Sequence, residues 1–238
     1  MNRKSKEPSF GEELAQSQVS RRKFLHFSGL AGVSVLAIGS MTGIQGCKKD
    51  DTSNNNSEGI NLGSGDVGIL NYAYALEQLE AAFYTQVIQS QYSGITAAET
   101  SYLTDIRDHE IAHREFFKTA LGTKAIPALE VNFSSINFGT RASVLATAKA
   151  FEDLGVSAYN GAGKLITDPN YLLLAGKIVS VEARHAALIR ELLSPNSFAA
   201  SDVVDANGLD KARTPGEVLS IAGTYLKSKI NASNLPTN

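Results

Sequence analysis

Residues 109–113 read "HEIAH" and residues 181–185 read "VEARH". In each stretch a glutamate precedes a histidine by three positions, in a chain that holds only four histidines. The residues concerned are Glu110, His113, Glu182 and His185. A spacing of three places both side chains on one face of a helix, one turn apart. The repeat therefore predicts two helices that each direct a carboxylate and an imidazole to the same side.

Both pairs interrupt stripes of apolar residues at helical spacing, such as Leu103, Ile106 and Phe117 around the first pair. Two further helical stretches carry one glutamate in the stripe and a tyrosine seven residues later. These residues are Glu77 with Tyr84 and Glu152 with Tyr159. The order Glu-x6-Tyr, then Glu-x-x-His, is used twice along the chain. It predicts an internal repeat whose four glutamates and two histidines face one interior.

An interior of this composition predicts a metal site. Burying an ionised carboxylate without a partner is very costly, and four facing carboxylates repel one another. Two divalent cations would cancel four carboxylate charges, and each would receive one imidazole. Oxygen-rich ligation with a single imidazole favours iron or manganese over structural zinc. The alternative is a bundle whose glutamates and histidines only hydrogen-bond to one another.

The periodicity predicts four long helices and a short fifth one. Their expected spans are about residues 66–91, 96–122, 140–166 and 168–194, with the fifth opened by "TPGE" at residues 214–217. Asp66, the Thr96–Glu99 capping box and Asp168 before Pro169 are the expected start signals. The long connection between the second and third helices favours two antiparallel hairpins with one long crossover. A helical solenoid would need more repeats of a shorter unit.

The ligand pattern resembles the ferritin-like superfamily of carboxylate-bridged di-metal bundles, which carries one glutamate on helices 1 and 3 and Glu-x-x-His on helices 2 and 4. The stretch "ILNYAYALEQLEAAFY" at residues 69–84 looks like the opening helix of the exported ferritin-like family that includes desiccation-related proteins. The resemblance covers residues 66–193. It implies an all-α fold, a ferritin-like four-helix bundle followed by a short C-terminal helix within residues 194–238.

The resemblance also implies roles for the repeated residues. Glu110 and Glu182 would bridge two iron ions, or alternatively two manganese ions. The terminal ligands would be Glu77 with His113 and Glu152 with His185. Tyr84 and Tyr159 would lie beside the ligands and are the candidate catalytic residues.

Two departures from the superfamily pattern affect the surroundings of the ligands. Many relatives have an aspartate directly before the glutamate of Glu-x-x-His, where this chain has His109 and Val181. Orientation of the histidines is then expected from Asp108, Asp153 or water. His109 itself is interpreted as an ordinary partly buried or surface histidine.

The other departure is Glu80, an extra or alternative ligand close to Glu77, with Gly155 at the matching place on the third helix. Glu77 is favoured because Glu152 repeats its spacing to tyrosine. The small residues around Gly155 fit an access channel and close helix packing equally well.

The amino terminus is interpreted as an export signal. "SRRKFLHFSGLAGVSVLAIGSMTGIQGC" at residues 20–47 resembles a twin-arginine signal that ends in a lipoprotein cleavage box. Residues 1–46 would be the signal peptide, Cys47 the lipidated residue and residues 47–65 a flexible tether. The expected location is the bacterial cell envelope, with the protein anchored in the membrane through its lipid. An uncleaved membrane anchor is the alternative.

The expected function is oxidoreductase chemistry on hydrogen peroxide or dioxygen, of peroxidase, catalase-like or ferroxidase type, in envelope stress defence. The alternative is a non-catalytic iron- or manganese-binding or desiccation-protective protein; an iron-storing cage is less consistent with a lipid tether. The net charge of −2 and the absence of a basic patch argue against nucleic acid as a partner. The expected partners are metal ions, a small oxidant, the membrane and, as an open alternative, further copies of the chain.

Overall fold

A computed structural model describes residues 59–237. The expected signal peptide, Cys47 and most of the expected tether lie outside these residues. The described part contains five α-helices, two short 3-10 helices and one pair of two-residue strands. No helix within it is both long enough and apolar enough to cross a bilayer.

Four long helices form the bundle, and a short fifth helix follows. They are α1 (Gly65–Gln89), α2 (Ala97–Leu121), α3 (Arg141–Gly163), α4 (Pro169–Leu193) and α5 (Pro215–Ala222). α1 packs along α2, α3 packs along α4, and α1 also contacts α3. The predicted all-α, ferritin-like bundle of two hairpins is therefore confirmed.

Two of the three expected helix start signals are confirmed. Thr96 and Glu99 form both bonds of the capping box, and the Asp168 side chain accepts from the backbone N–H of Asn170. The prediction that Asp66 caps α1 is wrong, because Ser64 holds the capping position. The Asp66 carboxylate instead accepts from the N–H groups of Thr167 and Asp168, which ties the start of α1 to the link before α4.

The long connection from α2 to α3 follows α1. A 3-10 turn, Gly122–Lys124, ends α2, and two buried amides of α1 then hold the chain. Asn71 accepts from the N–H of Ile126 at 2.9 Å, and Gln78 accepts from the N–H of Leu129 at 2.8 Å. Such bonds satisfy polar groups that would otherwise be buried without a partner. They fix the crossover while leaving the bundle interior to other side chains.

The two ends of the described chain meet. Strand β1 (Ile60–Asn61) pairs in parallel with strand β2 (Ile230–Asn231), and Leu62 is fully buried. The last residues of the expected tether are therefore part of the folded domain, because their apolar side chains bury against it. Farther along α3, a Cβ at Gly161 would collide with the carbonyl of Arg213. This glycine lets the C-terminal extension lie directly on α3, which is close packing and not a channel.

Candidate metal centre

All six predicted ligands converge between α1, α2, α3 and α4. Their helices carry them at the positions that face the bundle interior, as the apolar stripes predict. The four glutamates, Glu77, Glu110, Glu152 and Glu182, have no exposed surface, and His185 is 4% exposed. Residues that lie as far apart in sequence as Glu77 and His185 thus share one buried cluster.

The cluster consists of two overlapping groups of possible ligands. The His113 set comprises Glu77, Glu110, His113 and Glu182, and the His185 set comprises Glu110, Glu152, Glu182 and His185. In each set one atom from every residue lies within 4.8 Å of the others. Glu110 and Glu182 belong to both sets, which is the sharing that the superfamily resemblance implies for bridging ligands.

The histidine nitrogens and glutamate oxygens of the cluster are arranged better for binding a cation than for hydrogen-bonding to one another. His113 Nδ1 lies 2.8 Å from Glu182 Oε1, and His185 Nδ1 lies 2.8 Å from Glu110 Oε1. Nevertheless both nitrogens and both oxygens lack hydrogen-bond geometry to any described residue. Buried polar atoms without partners are costly and uncommon in folded proteins. Buried nitrogens and oxygens that converge without hydrogen-bond geometry fit a bound divalent cation, so the alternative of a purely hydrogen-bonded cluster is disfavoured.

The two predicted tyrosines bond to glutamates of the opposite hairpin. Tyr84 on α1 donates to Glu152 Oε1 at 2.5 Å, and Tyr159 on α3 donates to Glu77 Oε1. The other oxygens, Oε2 of Glu77 and Oε2 of Glu152, have no hydrogen-bond partner within the described residues. Each tyrosine therefore fixes one oxygen of a glutamate that belongs to a single ligand set and leaves the second oxygen available to a cation.

Burial and mutual repulsion shape the protonation of the cluster. Burial, followed by the charge of Glu182, raises the pKa of Glu110 well above its usual range. Burial alone would lower the pKa of His113 and His185, but the surrounding carboxylates outweigh it and raise both. The carboxylates thus favour protonated imidazoles in the cluster without cations, and a bound cation would compete with these protons.

His109 is an exposed residue outside both ligand sets, as interpreted, but it also contacts the cluster from outside. Its Nδ1 lies 2.9 Å from Nε2 of His185, within hydrogen-bond distance. A cation at His185 Nδ1 requires the ring proton at Nε2, so His185 would donate and His109 accept. Burial and the nearby His185 lower the pKa of His109, which favours the neutral ring that can accept. The available signal was that His109 occupies the place where relatives have an orienting aspartate.

Asp108 and Asp153, the carboxylates expected to orient the histidines, form ion pairs with arginines instead. The exposed Asp108 is paired with its neighbour Arg107, and Asp153 is paired with Arg190. Neither contacts His113 or His185, because each carboxylate points away from the bundle interior toward an arginine. The prediction that they orient the histidines is therefore wrong.

Glu80 is buried at 4% exposure but belongs to neither ligand set. Burial, followed by the charge of Glu110, raises its pKa well above the usual range. Gly155 makes room for this carboxyl group, because a Cβ at residue 155 would lie 3.1 Å from Glu80 Oε1. The site thus contains an additional acid on the side of α1, and the glycine on α3 faces it.

The family model described as ferritin-like domain matches residues 65–195, more than half of the chain. The matched span runs from the start of α1 to just past the end of α4 and includes every residue of the two ligand sets. No curated protein matches the chain.

Proposed function

Since the chain belongs to the ferritin-like domain family, we propose that it holds two iron or manganese ions and uses them in oxidoreductase chemistry on hydrogen peroxide or dioxygen. The observation that carries this proposal is the pair of overlapping ligand sets that share Glu110 and Glu182. Glu110 and Glu182 would hold two cations together, and these would supply joint chemistry on one small substrate, which a single isolated ion would not.

The donor atoms support the choice of metal. The two sets offer four carboxylates and two imidazoles, and they contain no cysteine. Carboxylate oxygens suit manganese and iron, whereas structural zinc sites use cysteine and histidine predominantly. Ions of this kind, when bound, supply or accept electrons by changing oxidation state.

The protein residues supply a fixed, dry surrounding. Burial raises the pKa of the Tyr84 and Tyr159 hydroxyl groups well above their usual range, so both remain protonated donors. They restrain Glu152 and Glu77 and prevent these carboxylates from turning away. The complete burial of the four carboxylates keeps bulk water from competing for the ligands.

Metal content tests the site. The full-length chain should contain about two iron or manganese ions, the number for which a shared two-metal site is built. Glu110→Gln keeps the size of the side chain but removes a charge from both sets, and it should lose most of the metal. Glu115→Gln on the same helix is the matched control and should retain the metal of the parent. A Glu110→Gln chain that keeps both ions would overturn the proposed centre.

Turnover tests the chemistry separately. The metal-loaded chain should consume hydrogen peroxide, or dioxygen in the presence of a reductant, at a rate that the Glu110→Gln chain does not reach. Full metal content without turnover would contradict the oxidoreductase proposal. That result would favour the alternative, a protein that binds iron or manganese for protection or sequestration.

We also propose that the protein is exported by the twin-arginine route and anchored in the cell envelope through a lipid on Cys47. The support is the sequence of residues 20–47 alone. Replacing Arg21 and Arg22 together by lysine should retain the protein in the cytoplasm. Cys47→Ala should release it from the membrane fraction. Unchanged membrane attachment in Cys47→Ala would contradict the lipid anchor and favour an uncleaved amino-terminal helix.

A further inference from the structure

A narrow apolar pocket lies between the four long helices of the bundle, next to the metal centre. α1 contributes Ala73 and Leu76 to its wall, α2 contributes Phe117, α3 contributes Ala162 and α4 contributes Ala175. Its volume is about 20 Å³, whereas a site for one water molecule needs about 10–15 Å³. The pocket therefore accommodates one very small molecule.

The pocket lies about one helical turn from the His113 set. Ala73 precedes Glu77 by four residues on α1, and Phe117 follows His113 by four residues on α2. At a rise of about 1.5 Å per residue, each separation is about 6 Å along its helix. The pocket thus forms the layer of the bundle interior that adjoins the ligands.

Tyr159 connects the pocket to the metal centre. Its ring is part of the pocket wall and stacks on the Phe117 ring at a centroid distance of 6.5 Å. Its hydroxyl group donates to Glu77 Oε1. A molecule in the pocket is therefore separated from a ligand of the His113 set by a single side chain.

The mouth of the pocket lies at the link between α3 and α4. Ile166 in this link and Ala175 in the second turn of α4 are half-buried, whereas all other residues of the wall are buried. A small molecule that enters between these two side chains reaches Tyr159 without passing the carboxylates of the cluster.

The lining of the pocket suits an apolar molecule. None of the lining residues is charged, and their only polar side-chain groups are the hydroxyls of Tyr72 and Tyr159. The Tyr159 hydroxyl is bonded to Glu77, and the buried Tyr72 hydroxyl has no hydrogen-bond partner among the described residues. A buried water needs about two to four polar partners, and hydrogen peroxide also forms several hydrogen bonds. A single free hydroxyl does not meet this need, whereas dioxygen requires no hydrogen bond.

We propose that this pocket admits dioxygen to the metal centre and makes dioxygen, not hydrogen peroxide, the preferred oxidant. The inference rests on the proposed oxidoreductase function and selects one of its two substrates. Apolar molecules leave water for hydrocarbon surroundings, so the pocket concentrates dioxygen beside the His113 set. The same lining keeps water away from carboxylates that have no exposed surface.

Xenon, an apolar atom that binds in dry protein cavities, tests the pocket without turnover. Titration of the full-length chain as purified should give a xenon NMR shift that Ala162→Leu removes, because the added side chain fills the pocket. Ala98→Leu adds the same side chain at an exposed position of α2 and is the matched control. An equal shift in the parent chain and in Ala162→Leu would overturn the proposal.

Two further variants keep the xenon test decisive. Overpacking destabilises a core, so thermal unfolding checks Ala162→Leu. Ala175→Leu fills the outer part of the pocket at a half-buried position, and it carries the test if Ala162→Leu unfolds. Tyr72→Phe makes the lining fully apolar and should bind xenon at least as tightly as the parent chain. Weaker xenon binding by Tyr72→Phe would show that the pocket is built for a polar molecule and would overturn the proposal.

The oxidant kinetics of the metal-loaded chain test the route. Ala175→Leu should raise the KM for dioxygen about tenfold and change kcat much less, because it obstructs access and not the chemistry. Loss of xenon binding with an unchanged KM for dioxygen would overturn the route and leave the proposed function standing. The same holds if the parent chain consumes hydrogen peroxide but not dioxygen. A parent chain that consumes neither oxidant would overturn the proposed function and this inference together.

Discussion

The two hairpins of the bundle carry the same ligands but different support for them. In the α3–α4 hairpin, His185 Nε2 lies 2.9 Å from His109 Nδ1, and the His185 side chain is 5% exposed. In the α1–α2 hairpin, His113 is 14% exposed, and Val181 on α4 occupies the position that corresponds to His109. A valine side chain has no group that accepts a hydrogen bond. The comparison teaches that sequence symmetry of the ligands does not make the two metal positions equivalent.

The difference extends to the acids. The α1–α2 hairpin carries Glu80 beside its ligands, and the matching residue of the other hairpin is Gly155. The His185 set has an oriented imidazole, whereas the His113 set has a more exposed one, and the Glu80 carboxyl group faces Gly155 on α3 and belongs to neither set. We expect the His185 set to bind its cation more tightly and the His113 set to be the more exchangeable one.

The largest expected effect is the difference in metal content between a variant of a carboxylate that both ligand sets share and a variant of a carboxylate that belongs to one set. Glu182→Gln removes a charge from both sets and should lose both ions, whereas Glu152→Gln affects only the His185 set and should lose one. Metal analysis after gel filtration gives the ratio of ions to chain. Glu191→Gln, an exposed glutamate of α4, is the control and should keep both ions. Loss of a single ion from Glu182→Gln would show that this carboxylate is not shared.

The next effect concerns His109. His109→Ala removes the acceptor of His185 Nε2 and should weaken the tighter of two metal-binding steps by about 10- to 100-fold, the usual cost of losing such support. Val181→Ala at the corresponding position is the matched control and should leave both steps unchanged. Stepwise titration of the metal-free chain with Mn²⁺ measures both. An unchanged tighter step in His109→Ala would remove the proposed inequality of the two sets.

Lowering the pH should weaken metal binding to both ligand sets by a similar factor. The carboxylates raise the pKa of His113 and His185 above the usual range for histidine despite burial, so both imidazoles are protonated at neutral pH without metal. Each cation must displace at least one proton, and affinity should fall by at least about tenfold per ion for each pH unit lowered. Calorimetry at pH 7 in buffers with different ionisation enthalpies should detect at least about one proton released per ion, since the pKa of Glu110 is raised as well. Binding without proton release would contradict this protonation of the cluster.

The sequence predicts a feature of this site when the interacting residues lie close together in the chain. The spacing of Glu110 to His113 and of Glu77 to Tyr84 lies within one helix, and helical periodicity alone brings those side chains to one face. The capping box at Thr96 and the start of the fifth helix at residues 214–217 are local in the same way and are confirmed. Such features follow from the few residues around them.

Contacts between distant helices could not be predicted in the same way. The approach of His109 to His185 depends on how α2 and α4 are aligned along the bundle, which no local pattern determines. The pairing of Asp153 with Arg190 depends on how α3 and α4 are aligned, and the contact of Arg213 with Gly161 depends on where the extension crosses α3. Aspartate beside a metal motif was a reasonable candidate for orientation, but a nearer arginine competes for its charge.

The smallest expected effect concerns Tyr84 and Tyr159, each of which donates a hydrogen bond to a glutamate of the opposite hairpin. Tyr84→Phe removes the donor to Glu152 and should weaken the His185 set, although Tyr84 belongs to the other hairpin; Tyr159→Phe should weaken the His113 set through Glu77. We expect about a fivefold loss of affinity in each case, the size of one hydrogen bond. Tyr102→Phe, at an exposed position of α2, is the control. The same Mn²⁺ titration would contradict the crossed arrangement if each variant weakened the set of its own hairpin.

The central claim is that two ions share Glu110 and Glu182, and electron paramagnetic resonance of the full-length chain loaded with Mn²⁺ tests it most directly. Ions bridged by common carboxylates lie close enough, about 3.5–4 Å in two-metal sites, for their spins to couple. The account predicts an exchange-coupled spectrum at about two ions per chain that Glu182→Gln abolishes. A spectrum of isolated Mn²⁺ at full loading would contradict it.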